Sequence, residues 1–482
     1  MSRRNGLVAK VAAWAAVGMA WVVSAWSLPI DDFWLSLASA RAIGNGASLD
    51  RAVDLTWTPM IPGALNPQWL GQLVLGLPGS EWGALAVNAL LIGAGLALTY
   101  LRVRRRAGGA ASAIAMLLAI GVLAPHLLAR AQSFSIALWP LALLLLETRL
   151  RRSWLLPVAF GLLIALWANL HGAFVIGQLA AFTAATLEIG GWLRDRSRRP
   201  AGPVVATAIV AAVAPLANPA GIGLLAYAYG QPGLDVVRAI SVEWGPSWPW
   251  VSVATVFWAY LVVLVAGRLV RRDLGRCRDC LLGALLAALA ISSIRHIPWF
   301  VLAMAPLLAA DIEALLAARP RIARALGTVG GPMARQLSAV VAVLALLALL
   351  VQPVRTSLPQ AFGRVTPDEP VAVVDRLDAV LAAGAAPARI LNEQVWGGYL
   401  DYRLGRRAET AMDGRLEIRD TATWSRYFDW LHGEPGTAED LAAAGVRFAI
   451  LLPERQALIE MLSGAGWSSV LVTSQAVLLE AP

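Results

Sequence analysis

Charged residues, lysine and cysteine are all scarce in this chain of 482 residues. Charged residues make up only 15%, against about 25% in a soluble globular domain. Two cysteines are too few for a disulfide scaffold. The hydrophobic fraction is 58% and the mean hydropathy is +0.64, which excludes an ordinary soluble enzyme and a disordered chain. The composition therefore predicts a polytopic α-helical membrane protein.

Lysine is almost absent, since Lys10 is the single lysine among 40 basic residues. A formal net charge of +9 would suit nucleic acid, but the basic residues lie in short clusters between apolar runs. That placement is typical of cytoplasmic loops under the positive-inside rule, and it predicts no nucleic-acid partner. The clusters are Arg3–Lys10, Arg102–Arg106, Arg149–Arg152, Arg194–Arg199, Arg268–Arg278 and Arg319–Arg335.

Three stretches between these clusters, 108–148, 154–193 and 279–318, hold about twice the ~20 residues that cross a bilayer. Each carries basic clusters at both ends, so each is predicted to fold back as a hairpin. Polar residues at 130–132, 169–172 and 295–298 mark the outer turns. With spans near 11–29, 82–101, 203–218, 249–267 and 337–353, the sequence predicts about 11 spans. Residues 1–353 would form a multi-pass bundle in the cytoplasmic membrane, with a cytoplasmic N-terminus.

The first outer loop, 30–81, is predicted to carry two short helices. The first begins with Asp31 and Asp32 as an acidic N-cap and ends at Gly44 or Gly46. The second is amphipathic and fits Pro67–Leu77. Its residues available to face lipid are Trp69, Leu70, Leu73 and Leu75.

Residues 354–482 alternate charged residues with short apolar runs, which predicts a small extracytoplasmic α/β domain. Strands are predicted at 388–392 and 447–452, with two more within 467–479. Helices are predicted at 436–444 and 454–464. Gly397-Gly398 indicates a bulge or tight turn in a strand, and Asp413-Gly414 indicates a hairpin turn.

Asp31 and Asp32 lie where the first span would leave the membrane. They could serve only as a cap and a topology signal. A carboxylate at this interface can also act as a general base on an acceptor hydroxyl or amine that meets a lipid-borne substrate. Adjacent side chains diverge on a helix, so only one needs to face a cavity. The pair is the catalytic candidate, and the choice between the two stays open.

Polar residues also collect in the outer turns, although charge at membrane depth is costly and is usually functional or paired. Two or three cations beside one acid suit a phosphate or pyrophosphate leaving group. The predicted residues for the donor phosphate and substrate are Arg130, Gln132, Asn169, His171, Glu243, Arg295 and His296.

Several familiar motifs are missing. Cys277 and Cys280 form a CxxC without a second pair or a nearby histidine, so no zinc site is indicated. The chain has neither a GxxxxGK[ST] phosphate loop nor an HExxH. ATP-driven transport therefore has no support in the sequence.

The acid pair after the first span, the many spans and the outer C-terminal domain together resemble the GT-C superfamily of integral membrane glycosyltransferases. The similarity is to bacterial members related to protein O-mannosyltransferases and the lipid A aminoarabinose transferase. It implies a polyprenyl-phosphate-linked sugar donor, transfer on the outer face, and an envelope glycan, lipid or protein as acceptor. Among the residues of this chain, the resemblance assigns a catalytic role only to Asp31 and Asp32. Some members use a divalent cation, so whether Mg²⁺ or Mn²⁺ binds at Asp31 or Asp32 stays open.

The preferred hypothesis is an inverting glycosyltransferase of the hexosyl type. A polymerase or ligase of lipid-linked glycans would instead depend on Arg130, His171, Arg295 and His296. A transporter or lipid flippase is disfavoured, because acids in mid-span and repeat symmetry are missing from the sequence. A non-enzymatic assembly partner would use the outer domain as an interface.

Overall fold

The computed structural model describes residues 30–197, 200–230, 240–248, 252–271, 277–318, 369–382 and 387–482. Within these ranges a bundle of apolar helices is followed by a C-terminal domain built on a sheet. The predicted spans 11–29 and 337–353 lie outside the described residues.

Residues 30–80, which we call the outer segment, and the bundle that follows contribute twelve described α-helices, two from the outer segment and ten from the bundle. They are α1 (Asp31–Gly44), α2 (Trp69–Gly76), α3 (Glu81–Arg104), α4 (Gly109–Leu123), α5 (Gln132–Glu147), α6 (Leu155–Leu170), α7 (Phe174–Arg194), α8 (Gly202–Val213), α9 (Ile222–Gly230), α10 (Ser252–Arg271), α11 (Cys277–Ser292) and α12 (Ile297–Ala318).

Five of the described helices are long and apolar enough to cross a membrane. The number is six if α8 and α9, which are bent by 104° at a short break, count as one span. Helices α5 and α6 are shorter but also apolar. The chain is therefore a multi-pass helical membrane protein, while the total of about 11 spans stays a prediction.

The polar turns predicted inside the three hairpins coincide with helix breaks. Helix α4 ends at Leu123 and α5 begins at Gln132, and α6 and α7 are separated at residues 171–173. Helix α11 ends at Ser292 and α12 begins at Ile297. The positions of these turns are confirmed, and they bring the polar residues to one end of the bundle.

Two prolines lie inside bundle helices, where each removes the N–H that would bond the carbonyl four residues earlier. Pro306 in α12 leaves the Leu302 carbonyl without that donor, and Arg102 Nη1 supplies one at 2.7 Å. Pro140 in α5 frees the Ile136 carbonyl in the same way. That oxygen packs so closely on Gly95 that a Cβ there would lie 2.2 Å away. Helix α3 thus supplies a donor to the first of these carbonyls and packs against the second.

The end of the bundle opposite the outer turns is closed by buried ion pairs. Arg102 donates through Nε and Nη2 to the two carboxylate oxygens of Glu147, at 3.1 and 2.8 Å. Arg268 pairs with Asp311 in the same forked manner, and Arg271 adds a bond of 3.0 Å. Arginines from two of the predicted basic clusters therefore neutralise internal acids in addition to marking topology.

The C-terminal domain holds a five-stranded mixed sheet of order β2-β1-β3-β5-β4. Strand β1 pairs in parallel with β2 and β3, and β5 pairs antiparallel with β3 and β4. The described elements of the domain are α13 (Val371–Ala382), β1 (Ala388–Asn392), α14 (Gly397–Leu404), β2 (Ala408–Thr410), α15 (Thr421–His432), α16 (Thr437–Ala443), β3 (Val446–Leu451), α17 (Gln456–Gly464), β4 (Ser468–Val472) and β5 (Val477–Glu480). All four predicted strands and both predicted helices of this region are confirmed.

Both faces of the sheet are covered, so its strands alternate between two apolar clusters. Ile390 and Phe448 join the cluster shared with α13 and α14, whereas Leu391 and Ala449 join the cluster shared with α15, α16 and α17. The first cluster also takes in Phe33 of α1. The outer segment and the sheet domain therefore share one hydrophobic core.

The stretch of the outer segment between α1 and α2 extends the sheet at its β2 edge. Thr56 bridges Thr410 of β2 in parallel, and the Trp57 amide donates to the Thr410 carbonyl at 2.9 Å. The Trp57 indole donates to the Ile390 carbonyl at 3.1 Å. This edge contact holds the outer segment against the domain that follows the bundle.

Four local predictions are wrong. The N-cap of α1 is Ile30, without a side-chain cap bond, and the two aspartates occupy the first turn instead. In α2, Leu75 is fully buried in the core shared with the sheet domain instead of facing lipid. Gly397-Gly398 begins helix α14 instead of a bulge in a strand. Asp413-Gly414 is no hairpin turn, because β2 pairs with β1 in parallel.

Candidate active site

A cavity of about 780 Å³ lies where the outer segment, the polar turns of the bundle and the C-terminal domain meet. Seven of the nine sequence-predicted site residues line it, and the two that do not are Gln132 and Asn169. The seven are Asp31, Asp32, Arg130, His171, Glu243, Arg295 and His296.

Asp31 and Asp32, in the first turn of α1, have different surroundings. Successive residues of a helix point about 100° apart, and here they contact different elements. Asp31 turns to the C-terminal domain, where its Oδ1 accepts a hydrogen bond of 2.6 Å from the Gly398 amide. Its buried Oδ2 has no hydrogen-bond partner within the described ranges.

Two glycines of the C-terminal domain make room for Asp31. A Cβ on Gly398 would lie 2.5 Å from the Asp31 carbonyl oxygen, and a Cβ on Gly414 would lie 2.5 Å from Oδ2. A Cβ at Gly398 would collide with the Asp31 backbone, and a Cβ at Gly414 would force the Asp31 carboxylate to move. The sequence predicted turns at Gly397-Gly398 and Asp413-Gly414. In the structure, both motifs instead form the surface against which Asp31 packs.

Asp32 faces the cavity. Its side chain is 45% exposed, and Oδ2 lies 3.7 Å from Nη1 of Arg130. Arg130 itself is almost fully buried and makes a forked pair with Glu243, in which both N···O distances are 2.9 Å. Glu243 lies in a short 3₁₀ turn, Val242–Trp244, whose carbonyl at 243 accepts from the Ser293 hydroxyl at 2.9 Å. Two outer turns therefore fix the Arg130 guanidinium beside Asp32.

Arg295 is the second cation of the cavity, and it differs from Arg130. Its guanidinium carbon lies 3.9 Å from the centre of the Trp244 ring, which is a cation–π contact. In the part of the chain that the structure describes, no hydrogen bond or ion pair reaches this guanidinium. His296, the next residue, packs edge-on against the same indole. Arg295 is thus a positioned cation without an anionic partner among the described residues.

His171 is held as a hydrogen-bond donor to the cavity. Its Nδ1 accepts from the Ala173 amide at 3.2 Å and lies 2.8 Å from the Ser135 hydroxyl. A backbone amide can only donate, so we assign the ring proton to Nε2. The Ser135 oxygen is fixed in turn by the Trp167 indole at 2.7 Å.

Asn169 and Gln132 lie outside the cavity lining. Asn169 accepts from the Trp69 indole at 2.7 Å and donates to the Ala165 carbonyl at 2.8 Å. These bonds tie α2 to the end of α6. Gln132 is buried at the start of α5, and its Oε1 has no partner among the described residues.

The pKa of both aspartates is raised above the ordinary value for Asp, because the surrounding protein removes water from Asp31 and, less completely, from the partly exposed Asp32. For Asp31 the rise is large, because Glu369, Asp32 and Asp413 add repulsion to the desolvation, and the Gly398 amide opposes it only in part. For Asp32 the rise is smaller, because Arg130 and Arg295 favour the charged form and Glu243 opposes it. Asp32 is therefore the aspartate of this pair whose charged form the cavity supports better.

The cavity also contains residues that the sequence analysis missed. Tyr227 of α9 and Glu417 of the C-terminal domain line it and share a hydrogen bond of 2.6 Å. Glu369 and Arg415 line it as well. No local motif marks these residues, because their partners are distant in the chain.

The described residues provide no set of ligands for a divalent cation. Within the described ranges no three His, Cys, Asp or Glu side chains come together in a way that could hold a metal ion. The cavity face of Asp32 is instead shared with Arg130. The described residues therefore do not form a site that fits a resident metal ion.

No family model and no curated protein sequence matches the chain. Solved structures do match its fold. Oligosaccharyltransferase of Archaeoglobus fulgidus in the apo form has a TM-score of 0.53 at 11% identity, over 90% of this chain and 69% of that one. Its complex with Zn and sulfate gives a TM-score of 0.51 at 11% identity, over 90% and 67%.

ArnT from Cupriavidus metallidurans bound to undecaprenyl phosphate has a TM-score of 0.51 at 15% identity, over 97% of each chain. These matches share the architecture of GT-C glycosyltransferases. The chain therefore has the GT-C fold, and the predicted resemblance is confirmed at the level of fold. Its own reaction has to be inferred from the site.

Proposed function

We propose that this protein is a membrane glycosyltransferase that moves a sugar from a polyprenyl-phosphate donor to an acceptor. The observation that carries the proposal is Arg295, a cation in the cavity with no anionic partner among the described residues, near Asp32. A guanidinium that lines a cavity without an ion pair leaves its N–H donors available, which favours an anionic ligand. The ArnT structure that shares the fold was solved with undecaprenyl phosphate, which supports a lipid phosphate as that ligand.

The phosphate would lie against Arg295, with the Nε2–H of His171 as a neutral donor. Arg130 would contribute charge from the side while it stays paired with Glu243. Such fixed donors stabilise the negative charge that develops on a leaving phosphate. The isoprenoid chain would lie between bundle helices.

Asp32 would act as the general base. An acceptor hydroxyl attacks the anomeric carbon and transfers its proton to the Asp32 carboxylate. The bond from the anomeric carbon to the phosphate oxygen breaks, and its electron pair stays on the lipid phosphate. Attack opposite to the leaving group inverts the anomeric centre. Asp31 would be a positioning residue, since it anchors α1 on the Gly398 amide.

The membrane placement is part of the same proposal. The bundle of residues 1–353 would lie in the bacterial cytoplasmic membrane, with the N-terminus in the cytoplasm and residues 354–482 outside. The acceptor would be an envelope glycan, lipid or protein, admitted between the outer segment and the C-terminal domain. A hexose is the proposed sugar.

The test compares three isosteric variants in nanodiscs that contain an undecaprenyl-phosphate hexose and an envelope extract. Asp32→Asn should lower the release of undecaprenyl phosphate by about 10²- to 10⁴-fold, the usual contribution of a general base. Asp31→Asn should lower it far less, because an asparagine oxygen can still accept from Gly398. Asp50→Asn, in the same outer loop, should change nothing. Unchanged transfer by Asp32→Asn would refute the assignment of the base.

A further inference from the structure

Tyr227 and Glu417 form a polar pair on the cavity wall that the proposed reaction leaves without a role. The Tyr227 hydroxyl donates to Glu417 Oε1 at 2.6 Å. The two residues are 190 positions apart in the chain, one on a bundle helix and the other on the C-terminal domain. The pair therefore forms only when the domain sits against the bundle.

Arg415, in the same loop, favours the charged form of Glu417 only through space, because its close partners are elsewhere. Arg415 Nη2 and Nε pair with Asp413, and Arg415 Nη1 donates to the Val53 carbonyl at 2.6 Å. Tyr227 is the side chain that bonds to the Glu417 carboxylate among the described residues, and the Glu417 backbone amide is a second donor to it. The carboxylate also lines the cavity.

The pair belongs to the same site as Asp32. Both Tyr227 and Glu417 line the cavity that holds Asp32 and Arg295. Burial raises the pKa of Glu417, and Asp32 adds to the rise through space. The cavity thus has a cation at the Trp244 wall and a carboxylate at the wall formed by the C-terminal domain.

The chemistry of the pair selects its ligand. A carboxylate only accepts hydrogen bonds, and the tyrosine hydroxyl, having donated to it, can still accept. Such a surface repels a phosphate and binds hydroxyl groups. We propose that Glu417 and Tyr227 bind hydroxyl groups of the transferred sugar while Arg295 holds its phosphate. This inference rests on the proposed function and adds a specificity-determining subsite to it.

The experiment measures binding of three lipids to the full chain in nanodiscs: undecaprenyl phosphate, the same lipid carrying a neutral hexose, and the same lipid carrying an amino sugar. Wild type should bind at least one sugar-bearing lipid more tightly than undecaprenyl phosphate. Glu417→Gln keeps the size of the side chain and an acceptor for Tyr227, so the fold should persist. It should lower that sugar-dependent gain about tenfold, and Tyr227→Phe should lower it about threefold. Tyr227→Phe should leave the affinity for undecaprenyl phosphate unchanged, and Glu417→Gln should not weaken it.

Glu409→Gln, an exposed change on β2 of the same domain, is the matched control and should change none of these affinities. The inference is overturned if Glu417→Gln leaves the sugar-dependent gain intact, or if it weakens bare and sugar-bearing lipids equally. It is also overturned if no sugar-bearing lipid binds wild type more tightly than undecaprenyl phosphate. Failure of wild type to bind undecaprenyl phosphate would instead remove the proposed function itself.

Discussion

The two ends of the bundle use arginine in opposite ways. At the far end, Arg102 and Arg268 each meet a carboxylate in a forked pair and are at most 8% exposed. We call these two pairs the far-end pairs. At the cavity, Arg295 lies over the Trp244 ring and has no hydrogen bond or ion pair to a described residue, and Arg130 is 3.7 Å from Asp32.

The difference separates structural charge from charge available to a ligand. In each far-end pair the arginine and the carboxylate neutralise each other, so no ligand is required to balance their charges. The cavity instead keeps Arg295 without an ion pair to any described residue, and it leaves Asp32 partly exposed beside Arg130. A low-dielectric site tolerates this arrangement when a bound anion completes it.

The largest expected effect is on stability, from breaking a far-end pair. Asp311→Asn leaves Arg268 buried without its partner, which should cost about 3–5 kcal/mol. Replacing the pair together, with Arg268→Met and Asp311→Leu, should recover most of the loss, because a buried pair is often replaceable by apolar residues. Thermal unfolding in nanodiscs measures both. A double variant as unstable as the single one would contradict the view that this pair is purely structural.

Next in size is the contact that positions the aspartates. Gly398→Ala places a Cβ against the Asp31 backbone and should cost about 1–3 kcal/mol of stability, together with most of the transfer activity. Gly464→Ala, in the same domain with no atom within 4 Å of the new Cβ, is the control and should be neutral or stabilising. Normal activity in Gly398→Ala would show that the α1 contact does not set the geometry of Asp32.

A smaller effect should follow from freeing Arg130. Glu243→Gln removes the carboxylate that shares Arg130, so the cavity gains net positive charge. Binding of undecaprenyl phosphate should tighten by about five- to tenfold, equivalent to roughly 1 kcal/mol. Glu188→Gln, which removes a carboxylate elsewhere in the bundle, should leave the affinity unchanged. Weaker binding in Glu243→Gln would mean that Glu243 helps the ligand instead of competing with it.

The smallest effect concerns pH. The pKa of Asp31 is raised in the folded chain, so its burial is tolerated below that pKa and costs stability as the pH rises through it. Asp31→Asn removes this penalty. The stability of the variant relative to wild type should therefore increase as the pH rises above the ordinary pKa of Asp, about 3.9, and should level off once Asp31 is ionised in the folded chain as well. A difference that stays constant with pH would contradict the burial of a titrating carboxyl at this position.

Much of this architecture can be predicted from the sequence because it depends on local pattern. Apolar runs locate the helices, and polar interruptions locate their turns, since a polar group inside the membrane is costly. Seven predicted site residues reach one cavity because helix ends on one side of the membrane are neighbours in space. The strands of the C-terminal domain follow from short apolar runs between turn residues.

The rest depends on contacts between distant parts of the chain. Asp31 and Gly398 are 367 positions apart. A local sequence pattern does not show that a glycine is needed at position 398 to make room for Asp31. The Tyr227–Glu417 bond and the far-end pairs are equally invisible in a local pattern. Asn169 was predicted at the site from its neighbourhood, but its amide is occupied by the Trp69 indole.

The central claim is that the unpaired cation of the cavity binds a lipid phosphate. The most direct test measures thermal stabilisation by undecaprenyl phosphate in nanodiscs for wild type, Arg295→Ala and the control Arg389→Ala, an exposed arginine of the C-terminal domain. The account predicts stabilisation of wild type and of the control, and a loss of at least tenfold in apparent affinity for Arg295→Ala. Equal stabilisation of all three proteins, or none for wild type, would contradict it.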